Sequence, residues 1–79
     1  MSRSEVEERL RRIFADSFGL ESIGDETGPE QIEEWDSLAH VGLMVALEAE
    51  FGVSIPPSEA VHLSNVGKIK SFLLAAGVE

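Results

Sequence analysis

The chain has no cysteine and no tyrosine, a single tryptophan, three prolines, and only six basic residues in 79. Without cysteine there is no disulfide to staple the fold and no thiolate site. The only histidines are His40 and His62, and no ligand cluster surrounds them, so no metal site is expected. No apolar stretch reaches the ~20 residues that span a bilayer. The N-terminus alternates charge and lacks the apolar run of a secretory signal, so the expected location is the cytoplasm, with no membrane partner. Residues 1–79 read as one domain, close to the lower size limit of self-sufficient folding. Its stability must come from packed apolar helices, and a hydrophobic content of 43% suffices for that and argues against disorder.

Positive charge is absent where it would matter for polyanions. Residues 1–20 balance four arginines (Arg3, Arg9, Arg11, Arg12) against Glu5, Glu7, Glu8 and Asp16. Beyond them only Lys68 and Lys70 oppose eleven acids, so the whole net charge of −9 resides in residues 21–79. Such a field repels nucleic acid and anionic lipid and favours partners with basic docking surfaces. Simple solubility is the competing explanation of the same charge.

What is present is helical periodicity. Val6, Leu10, Ile13, Phe14 and Phe18 form one apolar stripe, predicting a first helix over Ser4–Phe18, with Ser4 and Glu7 as a capping box and Gly19 as a left-handed stop. Between Gly19 and Trp35 stand six acids and no base, with Leu20, Ile23, Ile32 and Trp35 spaced as anchors for a long loop. Loops of this length in small domains are uncommon and often functional. Thr27-Gly28-Pro29 suits one helical turn. A second helix is predicted over Ser37–Phe51, capped by Asp36 and stopped by Gly52. Val53-Ser54-Ile55 reads as extended because Pro56 disfavours helix in the residue before it. Pro57 opens a short third helix ending near Leu63. Ser64 or Asn65 caps a fourth to about Ala76, with Val66, Ile69, Phe72, Leu73 and Ala76 inward. The expected fold is all-α: a small four-helix bundle with three main helices, one short helix and a long first loop.

The second helix is apolar on two sides. Leu43, Met44, Leu47 and Phe51 suit the core, while Leu38, Val41 and Val45 form a stripe rotated away from it. Either that stripe is an exposed binding surface, or the helix is central and wrapped by the other three. Gly42, between the stripes, either admits a close backbone approach or is a neutral surface residue. Ser37 stands at the mouth of this helix beside Asp36. A phosphate ester there would face free backbone N–H groups and the positive end of the helix dipole. A capping role for Ser37 is the plain alternative, weakened by Asp36, which already supplies a better-placed cap.

The run Glu34-Trp35-Asp36-Ser37-Leu38, followed by Val41, Leu43, Ala46-Leu47-Glu48 and Glu50-Phe51, resembles the attachment region of acyl carrier proteins. Val53-x-Ile55-Pro56 and the register of Val66 and Ile69 agree, so the resemblance extends over nearly the whole chain. It implies a bundle of acyl-carrier type and a 4'-phosphopantetheine arm on Ser37, with Asp36 helping to seat a phosphopantetheinyl transferase. It further implies that Leu38, Val41, Val45 and Glu48 form the docking face for acyl-loading, condensing and acyl-transfer enzymes. The chain would then be a non-catalytic, monomeric carrier holding acyl groups as thioesters. Asp36, where a histidine would stand, favours an acyl over a peptidyl or aminoacyl carrier. Ala39 and Gly42 occupy places where carriers of fatty acid synthesis usually have acids, and Trp35 and Glu34 replace small residues. These departures point away from fatty acid synthesis and towards a free-standing carrier of a specialised pathway such as polyketide biosynthesis.

Two rival classes remain. Asp36, Ser37 and His40 are formally an acid, a nucleophile and a base within five residues, with His40 one turn from Ser37. Hydrolysis also needs an oxyanion site and a pocket, which a chain this small can hardly enclose. His40 is instead expected at the surface near the arm, and His62 in solvent. A helical interaction module is the other rival. The acids of Asp25–Glu34 do not fall at the alternating positions of a calcium loop, which leaves a solvated loop.

Overall fold

The computed structural model describes residues 2–78. Four helices follow in order: α1 (Arg3–Phe18), α2 (Ser37–Phe51), α3 (Pro57–Ala60) and α4 (Val66–Ala75), and no strand occurs among the described residues. The chain is thus an all-helical bundle of acyl-carrier type. The cap of α1 is Ser2 rather than Ser4: its hydroxyl accepts the amide of Glu5 at 3.2 Å. Ser2 and Ser4 both have glutamate three residues on, and the earlier pair extends the helix. Gly19 and Gly52 end α1 and α2 with φ of 69° and 65°, a backbone region that costs a side chain but not glycine. The third helix stops at Ala60, and turns carry the chain on to the buried Leu63. Asn65, not Ser64, caps α4, its Oδ1 accepting the Lys68 amide at 2.8 Å.

The core forms where the apolar stripes converge. Val6, Leu10 and Phe14 of α1 meet Leu43, Met44 and Leu47 of α2 and Val66, Ile69 and Leu73 of α4, all buried. Phe72 packs at the margin, and Ala76, one residue past the end of α4, is exposed rather than inward.

The long loop is strapped down rather than solvated throughout. Ile32 and Trp35 are core residues, and Leu20 and Ile23 pack, partly buried, against the core. Thr27-Gly28-Pro29 opens only a single turn, closed by the Ile32 amide on the Gly28 carbonyl at 3.1 Å. The α4 amides of Val66 and Gly67, which lack intrahelical partners, donate to the loop carbonyls of Thr27 and Asp25 at 2.9 and 2.8 Å. The approach is close: a Cβ on Gly28 would stand 2.7 Å from the Ser64 carbonyl oxygen. Lys70 adds a charged tie, with Nζ 2.6 Å from Asp25 and 2.9 Å from Glu7. These straps fix the end of the loop, and therefore the entry to α2.

Candidate functional site

Asp36 and Ser37 meet at that entry. Asp36 is extended, and its Oδ1 accepts the Ala39 amide at 2.8 Å. Its carbonyl takes the His40 amide at 2.8 Å, the first bond of the helix. The cap is therefore filled by Asp36, and the Ser37 hydroxyl is left with no capping duty. Ser37 is exposed at the first helical position, where the Ser37 and Leu38 amides precede the first intrahelical bond. The positive end of the dipole and these free N–H groups suit a phosphate ester on that hydroxyl.

Beyond Ser37 the two stripes of α2 separate. Leu43, Met44 and Leu47 are buried, whereas Leu38, Val41 and Val45 are 83%, 61% and 59% exposed. The exposed-surface reading of the second stripe is the one the fold adopts. Glu48 lies along the same side but is half buried, its Oε2 accepting the Ile55 amide at 2.7 Å. Gly42 has open space where a Cβ would stand, so no part of the chain requires a glycine there.

His40 lies beside Ser37, as expected, but it is half-buried and held at both ring nitrogens. Its Nδ1 accepts the Trp35 indole N–H at 2.9 Å, its Nε2 lies 2.7 Å from the Ala60 carbonyl oxygen, and the two rings stack at 5.9 Å. A carbonyl can only accept, so Nε2 carries the proton and the Nδ1 lone pair is occupied by the indole. No basic nitrogen of His40 is left to activate Ser37. A signal was present in the sequence: His40 precedes Leu43, Met44 and Leu47 at intervals of three, four and seven, on the core-facing stripe. Trp35 is in turn 3% exposed and packed edge-on against Phe14 at 5.4 Å. Around Ser37 these two rings, with Pro29, Val61 and Ser64, border a concavity of about 510 Å³.

Residues 8–73 match the family described as a phosphopantetheine attachment site. An acyl carrier protein of Thermosynechococcus vestitus is 37% identical over 75 residues, covering 92% of this chain and 93% of the relative. One from Akkermansia muciniphila is 33% identical over 75 residues, covering 92% and 94%. The acyl carrier protein AcpP of Rhizobium meliloti is 35% identical over 72 residues, covering 89% and 92%. The chain belongs to the acyl carrier proteins of the phosphopantetheine-carrier family. Membership implies a covalently attached 4'-phosphopantetheine group, a transferase that installs it, and acyl-handling enzymes that use it.

Proposed function

We propose that Ser37 is the attachment residue and that the chain carries acyl groups between enzymes without catalysing a reaction itself. The observation that carries this reading is the division of labour at the mouth of α2: Asp36 caps the helix, which frees an exposed Ser37 hydroxyl beside unpaired amides. When bound, the group supplies a terminal thiol on which acyl groups are held as thioesters. The chain's own contribution is to hold the phosphodiester at the helix mouth, to raise the local concentration of cargo at each partner as any tether does, and to select the partner. His40, committed to Trp35 and Ala60, offers nothing to catalysis.

Partner selection is assigned to Leu38, Val41 and Val45, with Glu48 at their edge and Asp36 seating the transferase. Exposed apolar side chains in a row on a strongly acidic protein suit partners that combine a shallow apolar surface with a basic rim. Ala39 and Gly42 make this face less acidic than in carriers of fatty acid synthesis, which supports service in a specialised pathway such as polyketide assembly. In this reading residues 1–79 act as one monomeric domain in the cytoplasm; no helix among the described residues is long and apolar enough to cross a membrane.

Incubation with coenzyme A and a phosphopantetheinyl transferase tests the assignment. Intact mass should rise by one phosphopantetheine in the wild type and stay unchanged in Ser37→Ala. A gain that persists in Ser37→Ala places the arm elsewhere.

A further inference from the structure

We propose that Trp35 and His40 form a latch that closes the bundle beside Ser37 and confines the carrier to short acyl cargo held outside the core. The inference rests on the reading of Ser37 as the attachment point. It begins from the relay of two hydrogen bonds, indole to imidazole to the Ala60 carbonyl, at 2.9 and 2.7 Å. The relay joins the end of the loop, the first turn of α2 and the last residue of α3. It therefore crosses the seam between α2 and α3 on the side where Ser37 stands. The concavity beside Ser37 has these two rings among its walls. Behind them Phe14, Leu43, Leu47, Ile69 and Leu73 are packed at 0–2% exposure.

An acyl chain that enters the core from the concavity beside Ser37 must displace the indole, whose ring packs against those of Phe14, Phe18 and His40. Displacement breaks the indole–imidazole hydrogen bond and leaves the half-buried Nδ1 of His40 without its donor, a penalty independent of the cargo. The gain from burying the cargo grows with each methylene. A fixed cost set against a length-dependent gain defines a threshold, below which the cargo stays at the surface concavity or in solvent. Small acyl units fall below it. The pair thus acts as a determinant of cargo size, through position rather than chemistry.

The chain has one tryptophan, so a single indole N–H resonance reports the latch. In the unmodified wild type this resonance should be protected from solvent exchange, and His40→Ala should abolish the protection. His40→Gln, whose amide can accept from the indole and donate to Ala60, should restore it. Free octanoic acid titrated into the unmodified chain should shift core methyl resonances of Leu43 and Leu47 in His40→Ala but not in wild type. In the loaded protein, acetyl and butyryl groups should leave those methyls unmoved in both. Octanoyl should move them in His40→Ala and be protected there from hydroxylamine. Trp35→Phe, which keeps a ring and deletes the donor, reads the same methyls should His40→Ala fail to fold. Core methyls that respond to octanoic acid equally in wild type and in the opened variant overturn the latch, as does an indole that exchanges freely in the wild type. The titration needs no arm, so loss of the attachment reading and loss of the latch are told apart.

Discussion

The carboxylate of Glu48 accepts the backbone amide of Ile55 at 2.7 Å, reaching across the left-handed turn at Gly52. One residue of the proposed docking face thereby also holds the connection that leads to α3. Glu48→Lys removes a half-buried acceptor and should cost roughly 1–3 kcal/mol, seen as a lower Tm in thermal unfolding. Val45→Asp alters only exposed surface and should change stability by about 0.5 kcal/mol or less, while slowing acyl transfer to partner enzymes. Transfer rates unchanged in Val45→Asp would argue that α2 is not where partners dock.

Gly42 offers a separation of fold from function. Nothing lies within 4 Å of a Cβ built there, so Gly42→Ala should stabilise α2 by up to about 1 kcal/mol. A denaturant midpoint that rises while transfer rates hold identifies Gly42 as a neutral surface residue. A rise accompanied by slower transfer identifies a partner that approaches the bare backbone.

Gly28 should behave in the opposite way. A methyl group 2.7 Å from the Ser64 carbonyl oxygen forces backbone apart at the strap between the loop and α4. Gly28→Ala is expected to destabilise by about 1–3 kcal/mol, and hydrogen exchange at the Val66 and Gly67 amides should quicken before that of the α2 interior.

Lys70 sets the alkaline limit of the same strap. Hydrogen bonds that Lys70 donates to Asp25 first and Glu7 second hold its pKa above the usual lysine value. A group whose pKa is raised on folding stabilises fully below its unfolded pKa and loses that contribution as pH climbs through the folded value. Its contribution should thus be constant around neutrality and fade above the ordinary lysine range. Lys70→Met should lower neutral stability by up to about 1 kcal/mol, since both carboxylates are well exposed. Urea unfolding at neutral and strongly alkaline pH should show the gap between the two proteins narrowing at the higher pH.

Much of this architecture was legible in the sequence because it is dictated locally. Asp36 and Gly52 bracket α2, and its bounds follow from cap and stop chemistry alone. The exposed stripe of Leu38, Val41 and Val45 follows from period and from the small size of the bundle. Where two local patterns compete, the sequence is degenerate: Ser2-x-x-Glu5 and Ser4-x-x-Glu7 are the same motif two residues apart. Long-range pairings leave no local mark. Nothing about Thr27 announces that its carbonyl receives Val66, and Trp35 and His40, five residues apart, obey no spacing rule because one lies in the loop and the other in the helix. The role of His40 was within reach, since its position on the core-facing stripe already turned its ring partly inward.

Whether the Ser37 hydroxyl bears the arm is read from the mass of the protein isolated from its own host, with fragmentation to locate any adduct. A phosphopantetheine on the peptide that contains Ser37, with or without an acyl group, is expected. A bare chain, or an arm fixed to any other residue, contradicts the assignment to Ser37.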